Sequence, residues 1–181
     1  DISALPFNSV RHLPKVARHI AYFMKCLSLA RGVDVIFAQD PVSVGLPALL
    51  AAKILRRPFF LRLGGDYAWE QGRLRFGVKE TLGEFVCGGK RGEKKDGAQQ
   101  KRYPMKVRLL RRVQAHVALA AKGVTVQSEF MKRIVACWGI PSNKIVVIPN
   151  GFDGAGVMED RETARDALAL SGSIGVSAAR L

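Results

Sequence analysis

PFFLRLGGDYAWE, residues 58–70, is the stretch that decides the fold. The apolar residues 59–63 predict a buried strand, which Gly64 and Gly65 bring to an end. A turn alone needs one glycine, and a solvated loop rarely carries a tyrosine and a tryptophan together. The two glycines, followed by Asp66, therefore indicate a ligand that lies against this backbone, because glycine lets a backbone approach a ligand closely.

Strand and helix patterns alternate on both sides of this stretch. Short apolar runs rich in Val, Ile and Phe predict strands, and each run is followed by a polar or glycine turn and a helical pattern. The alternation predicts an α/β fold with a Rossmann-like, doubly wound parallel sheet and helices on both faces. The predicted strands are 33–38, 59–63, 123–126, 145–148 and 174–178, and the predicted helices are 44–55, 130–138, 160–170 and one that starts at 106.

The loops that follow the strands contain the candidate site residues. Ligands of such sheets bind beyond the carboxyl ends of the strands, where an aspartate can orient a ligand hydroxyl. Asp66 is the candidate catalytic residue, although capping of the next helix explains it equally well. Helix capping and a simple turn are likewise the ordinary explanations for Ser128 and for the 150–151 pair. The candidate substrate-binding residues are Asp40, Gly64, Gly65, Glu70, Ser128, Asn150 and Gly151.

The chain is strongly basic. Its 29 Lys and Arg residues against 15 Asp and Glu give a formal charge of +14, which favours a polyanionic partner. The Gly, Lys, Arg and Gln composition around residues 87–105 predicts a mobile, basic surface loop. Such a run is usually solvated, and contact with an anionic membrane surface is the functional alternative. Nucleic acid is not the expected partner, because aromatic residues are not interleaved with the basic ones.

The cysteines and histidines indicate no metal or disulfide chemistry. Cys26, Cys87 and Cys137 are widely spaced and form no CxxC pattern, so we expect neither a disulfide framework nor a zinc site. The simplest interpretation is a reducing, cytosolic compartment. The histidines lack ligand-type spacing with Cys, Asp or Glu, and the longest apolar stretch, 42–55, is too short to span a bilayer.

Three segments together resemble a known family. VTVQSEFMKRIVACWGIPSNKIVVIPNGFD, residues 124–153, resembles the end of the N-terminal domain of family 4 glycosyltransferases, which are retaining enzymes of the GT-B fold. FAQDPVSVGLPALLAAK and LRLGGDYAWEQG are similar to strand-end loops of a bacterial subgroup of that family. The resemblance implies an N-terminal, acceptor-side domain over 1–153, and a linker helix with the start of a donor-side domain over 154–181. It also implies a fragment that lacks the first strand and its glycine-rich loop.

The same resemblance implies an activity. A sugar would move from a UDP- or GDP-linked donor to a hydroxyl of a glycan or lipid-linked envelope saccharide, with retention of configuration. Arg180 matches the arginine that contacts the donor diphosphate, although Ala179 stands where the family usually has glycine. No metal and no cofactor besides the donor substrate is implied. The enzyme would work in the cytoplasm, at the inner membrane face, and the fragment alone is expected to be inactive.

Two other functions stay open on the sequence. The chain could be a non-catalytic α/β binding module that keeps the scaffold without turnover. It could also be a basic domain that binds nucleic acid, for which binding should fall steeply with salt. The glycosyltransferase interpretation is preferred because it accounts for both the strand-end loops and the basic surface.

Overall fold

The computed structural model describes residues 3–10, 12–88 and 103–151. The chain divides into two compact units, Asp1–Pro149 and Asn150–Leu181, and every helix and strand of the described residues lies in the first. The predicted helix 160–170, the predicted strand 174–178 and most of the basic loop 87–105 lie outside the described residues. The predicted domain boundary after residue 153 lies outside them as well and stays a prediction.

Helices and strands alternate through the described residues. Two of the predicted strands, 59–63 and 123–126, are confirmed to the residue. The first strand is shorter than predicted because its partner strand begins late: Ile36 is aligned with Phe59, and its amide bonds to the carbonyl of Pro58. The elements are α1 (Lys15–Ala30), β1 (Ile36–Ala38), α2 (Gly45–Ile54), β2 (Phe59–Leu63), α3 (Tyr67–Phe76), α4 (Leu82–Cys87), α5 (Met105–Ala120), β3 (Gly123–Val126), α6 (Glu129–Ala136) and β4 (Ile145–Val147).

The four strands form one parallel sheet in the order β1-β2-β3-β4. Parallel neighbours cannot be joined by a tight turn, so helices connect each strand to the next. The predicted α/β class and parallel sheet are confirmed. The strand order follows the chain order, so no reversal of order lies among the described strands.

One face of the sheet carries the hydrophobic core, and we call it the packed face. Successive strand residues point to opposite faces, and the packed-face residues Leu61 and Leu63 are 0% exposed. Helices α2 to α6 all contribute to the core on this face, as expected when right-handed crossovers step in one direction across a sheet. On the other, open face, Phe37 and Val146 are 51% and 53% exposed. The second layer of helices that a doubly wound sheet carries is not found within residues 3–88 and 103–151.

The ends of the short helices are set by local sequence signals. Thr81 and Glu84 form a reciprocal capping box at the start of α4. The predicted stop at Gly139 lies three residues beyond α6, and its φ of 86° is a conformation that favours glycine. No helix within the described ranges is both long and apolar enough to cross a membrane.

A disulfide joins Cys87 at the end of α4 to Cys137 just after α6, with a Cα separation of 5.4 Å. The expectation that the cysteines form no disulfide was therefore wrong. The two residues are 50 positions apart, and only the packing of α4 against α6 brings them together. Cys26 is free and partly buried, and burial raises the pKa of its thiol to about 11.

Candidate functional site

The candidate site lies at the carboxyl edge of the sheet. Strands β1, β2 and β3 are neighbours in register, so the loops that follow Ala38, Leu63 and Val126 leave the sheet side by side. We call the loop 64–66 the glycine loop. The sequence placed the candidate residues after these strands, and the structure brings those of the first three strands to one edge.

Asp66 ends the glycine loop and begins α3. Its Oδ1 accepts a hydrogen bond from the Trp69 amide at 2.8 Å, so the carboxyl caps the helix. The residue is 1% exposed. The helix-cap interpretation is thus confirmed, while the catalytic role of Asp66 stays a prediction.

Burial raises the pKa of the Asp66 carboxyl above its ordinary value of 3.8. Four neighbours act against burial without cancelling it: the Gln114 side chain, the Trp69 amide, the Arg111 charge and the Trp138 side chain. Among the described residues, no donor meets Oδ2 with hydrogen-bond geometry. The carboxyl therefore keeps its proton to higher pH than an exposed aspartate does.

Arg111 is held near this carboxyl by aromatic rings. Its guanidinium lies 4.7 Å from the ring centre of Phe85 and 5.6 Å from that of Tyr103. Phe85 and Tyr103 in turn form an edge-to-face pair. Helix α4 and the residues before α5 thus position the positive charge that acts on Asp66.

Gly65 brings the backbone of the glycine loop against the Glu70 side chain. A Cβ at position 65 would run into Oε1 of Glu70, so only glycine leaves this carboxylate its place. Glu70 itself is exposed, one turn into α3. The loop therefore presents an accessible carboxylate beside an accessible stretch of backbone.

Gln127 joins the glycine loop to the end of β3. Its Nε2 donates to the Gly64 carbonyl at 2.8 Å, while its Oε1 is buried and has no partner among the described residues. Ser128 follows at once, and its Oγ accepts from the Met131 amide at 3.2 Å, which caps α6 as predicted. The ends of β2 and β3 are thus connected by a side-chain hydrogen bond.

Asp40 holds the turn that follows β1. Its Oδ1 accepts from the amides of Val42 at 2.9 Å, Val44 at 3.2 Å and also Ser43, all just before α2. The carboxyl is partly exposed. Asp66 and Ser128 therefore cap helices at this sheet edge, whereas Asp40 fixes the turn before α2.

An apolar groove of about 1090 Å³ runs along β1 and reaches Gln39, directly before Asp40. Its walls are the segment 3–7, helix α1 and the strand itself. Tyr22 belongs to this lining, and its hydroxyl donates to the Leu5 carbonyl at 2.8 Å. Burial raises the pKa of that phenol to about 12, so it stays a donor at neutral pH.

Three predicted residues lie in the second unit or outside the described residues. Asn150 and Gly151 are exposed and belong to the second unit. Arg180 lies outside the described residues. The substrate-binding roles predicted for them stay predictions.

Sequence reasoning missed four residues that shape the glycine loop: Gln114, Arg111, Gln127 and Trp138. Gln114 is 1% exposed and its Oε1 accepts from the Ala68 amide at 2.9 Å. A signal was available, because a glutamine between Val107 and Val117 interrupts the apolar stripe of α5. The Trp138 contact carries no such local signal, because it depends on how α6 packs.

The carboxyl edge of the sheet offers hydrogen-bond acceptors and donors from side chains and backbone. Within residues 3–88 and 103–151, no three His, Cys, Asp or Glu side chains converge to hold a metal ion. The accessible groups are the Glu70 carboxylate and the backbone around Gly64. Trp69 is fixed behind them, since its Nε1 donates to the Glu80 carbonyl at 2.8 Å. Such an arrangement suits a ligand rich in hydroxyl groups.

The family is decided by a match over most of the chain. Residues 2–151 match the model of the glycosyl transferase 4-like domain. The chain belongs to this glycosyltransferase family. No curated protein matches it. The resemblance stated from the strand-end segments is therefore confirmed at the level of the family.

A solved glycosyltransferase has a similar fold. The crystal structure of Anabaena Alr3699/HepE in complex with UDP matches with a TM-score of 0.52 at 18% sequence identity. The match covers 81% of this chain and 32% of that chain. The glycosyltransferase-like domain thus has the α/β fold of part of a GT-B protein and spans about a third of the HepE chain.

Proposed function

We propose that this domain is the acceptor side of a transferase that moves a hexose from a nucleotide-linked donor to an acceptor hydroxyl, with retention. The observation that carries the proposal is the glycine loop, held beside Ser128 by the Gln127 hydrogen bond, in a chain of this family. The UDP complex of HepE supports a nucleoside diphosphate as the carrier. The acceptor would be a glycan or a lipid-linked saccharide handled at the cytoplasmic membrane face.

The reaction exchanges one bond at the sugar. The acceptor oxygen bonds to the anomeric carbon while the bond from that carbon to the diphosphate oxygen breaks, and the acceptor proton passes to the leaving diphosphate. Arg180 is proposed to neutralise the charge on that leaving group, for which a guanidinium is well suited. No group beyond the two substrates is needed to balance this step.

The glycine loop would orient the acceptor. Backbone at Gly64 and Gly65 and the Glu70 carboxylate offer hydrogen bonds to sugar hydroxyls, and Asp40 and Ser128 would support the same site. Substrate binding by Asn150 and Gly151 is proposed from the family resemblance alone. Because Asp66 is buried, its role in this proposal is to position the glycine loop, which it does by capping α3. Direct contact of Asp66 with the reacting atoms would require the loop to open.

The test is isothermal titration of UDP- and GDP-hexoses into the full-length protein, together with a turnover assay. We expect one donor to bind saturably, Arg180→Ala to weaken that binding, and Glu70→Gln to leave donor binding intact while lowering turnover at least tenfold. The matched control is Asp34→Asn, which also removes one carboxylate but lies at the amino end of β1.

Two results would count against the proposal. If the folded protein binds no nucleotide-sugar, it shares the fold of the family but not the proposed transferase activity. Equal turnover in the Glu70→Gln and Asp34→Asn variants would show that the carboxylate beside the glycine loop does not bind the acceptor.

A further inference from the structure

The Cys87–Cys137 disulfide lies at the surface of the domain. Cys87 is the last residue of α4, Cys137 follows the last residue of α6, and both are exposed. An exposed disulfide can be attacked by a thiol from solution, and exposed bridges are typical of labile or regulatory pairs. Cys26 does not compete for such exchange, because burial raises the pKa of its thiol to about 11 and only the thiolate reacts. Exchange is therefore directed to this one pair.

Helix α4 is held at both of its ends. At its amino end, Nε1 of Trp69 in α3 donates to the Glu80 carbonyl at 2.8 Å, directly before the Thr81 cap. At its carboxyl end, the disulfide joins it to α6. A helix of six residues is not stable by itself. The position of α4 therefore depends on these two attachments and on its buried residues, Phe85 and Val86.

Helix α6 leads back to the glycine loop. It starts directly after Ser128, and the preceding Gln127 donates to the Gly64 carbonyl at one end of the loop. Asp66 at the other end of the loop caps α3. The glycine loop, α3, α4 and α6 therefore form a closed ring of contacts, and the disulfide is the covalent contact that closes it.

Helix α5 gives a second connection between the bridge and α3. Phe85, two residues before the bridged end of α4, lies 4.7 Å from the Arg111 guanidinium. Gln114 follows Arg111 by three residues and so lies on the same side of α5. Its Oε1 accepts from the Ala68 amide in the first turn of α3 at 2.9 Å. A displacement of α4 is thereby transmitted to the helix that begins at the glycine loop.

We propose that the Cys87–Cys137 pair is a thiol–disulfide switch of the acceptor site, in which the bridge fixes the glycine loop and reduction loosens it. The inference concerns the regulation of the proposed transferase and rests on that function. A site at the cytoplasmic membrane face meets a reducing thiol pool, where disulfides are usually transient and respond to redox conditions. The exposed position of the bridge fits such a role.

The chemistry is exchange with a low-molecular-weight disulfide such as glutathione disulfide. One cysteine thiolate attacks a sulfur of glutathione disulfide, so that a mixed disulfide forms and one glutathione leaves as a thiolate, which takes up a proton. The second cysteine thiolate then attacks the cysteine sulfur of the mixed disulfide and releases the second glutathione. The pair loses two electrons, which reduce glutathione disulfide to two glutathione thiols, and excess glutathione reverses both steps.

The test is hydrogen exchange of the full-length protein, oxidised in glutathione disulfide or reduced in glutathione. Alkylation followed by mass spectrometry measures the oxidised fraction. We expect the pair to change between its two forms in these two buffers. Reduction should raise the exchange rates of the Ala68 and Trp69 amides roughly tenfold, because Gln114 and Asp66 hold these amides at the start of α3.

The matched control amides lie at the same sheet edge. The amides of Val42 and Val44 are also held by an aspartate carboxyl, but they do not belong to the ring of contacts. Their exchange should be equal in both forms. The Cys26→Ser variant should switch like the parent protein, whereas Cys87→Ser/Cys137→Ser should exchange like the reduced form in either buffer.

The inference is overturned if the Ala68 and Trp69 amides exchange equally in both forms, or if the pair stays reduced in glutathione disulfide alone. It is also overturned if the Val42 and Val44 amides respond as strongly, because reduction would then only lower the overall stability. Should the double serine variant not fold, the reduced parent protein gives the same comparison. Hydrogen exchange needs no substrate, so a failure of the switch can be told apart from a failure of the transferase proposal, which the donor titration tests.

Discussion

The packed and open faces of the sheet are made of similar residues and yet differ in almost everything that follows from burial. Leu61 and Val124 on the packed face are 0% exposed, whereas Phe37 and Val146 on the open face are about half exposed. Both faces are formed by the same four strands, along which successive side chains alternate between the two faces. The difference shows that the connections, rather than the strands, decide which face is stabilised, because helices α2 to α6 all pack on one side.

The largest expected effect comes from truncating a buried side chain on the packed face. Leu61→Ala should lower the free energy of unfolding by about 4 kcal/mol, because it leaves a cavity among fully buried neighbours. Phe37→Ala on the open face should lower it by about 1 kcal/mol or less, although it removes more atoms. Urea unfolding followed by circular dichroism measures both. Equal losses would mean that the open face is covered in solution.

A smaller effect is expected from cutting the disulfide that fastens two helices of the packed face. The Cys87→Ser/Cys137→Ser variant should lose about 3 kcal/mol, since the bridge closes a loop with a sequence separation of 50. Dithiothreitol should bring the parent protein to the same midpoint.

The Cys26→Ser variant is the control for this experiment, because that thiol is free and should not affect the response to the reductant. Titration of three free thiols in the protein as purified, with unfolding indifferent to dithiothreitol, would show that the bridge does not form.

The smallest effect concerns the buried carboxyl group of Asp66. Since the folded-state pKa of Asp66 is raised, its neutral form suits the fold, and stability is lost as pH rises from the ordinary value of 3.8 through the raised pKa. Asp66→Asn keeps the cap but cannot ionise. At pH 7 it should be roughly 1 kcal/mol more stable than the parent protein, and this difference should vanish in acid.

Urea unfolding between pH 3 and pH 8 measures this difference. A constant gap between Asp66→Asn and the parent protein across the range would show that the carboxyl titrates normally. A gap that opens toward acid instead would mean that the folded protein prefers the charged form.

The sequence predicted the strands better than it predicted their surroundings. The runs at 59–63 and 123–126 were found because β-branched and aromatic residues end at glycine or polar turns, which are local signals. The open face could not be foreseen, since alternation does not tell which helices cover which side. Likewise, the burial of Asp66 and the Cys87 bridge depend on how α4, α5 and α6 pack, and no residue next to them in sequence records it.

The hydrogen bond from Gln127 to Gly64 constrains the evolution of these two positions unequally. The bond ends on the carbonyl of residue 64, and a Cβ there would meet nothing within 4 Å, so the folded protein itself sets no steric limit to a small side chain at position 64. Position 127 has no such freedom, because the bond needs its side-chain amide. Among homologues, position 64 should therefore vary more than position 127, while position 65 should stay glycine because a Cβ there would displace the Glu70 carboxylate.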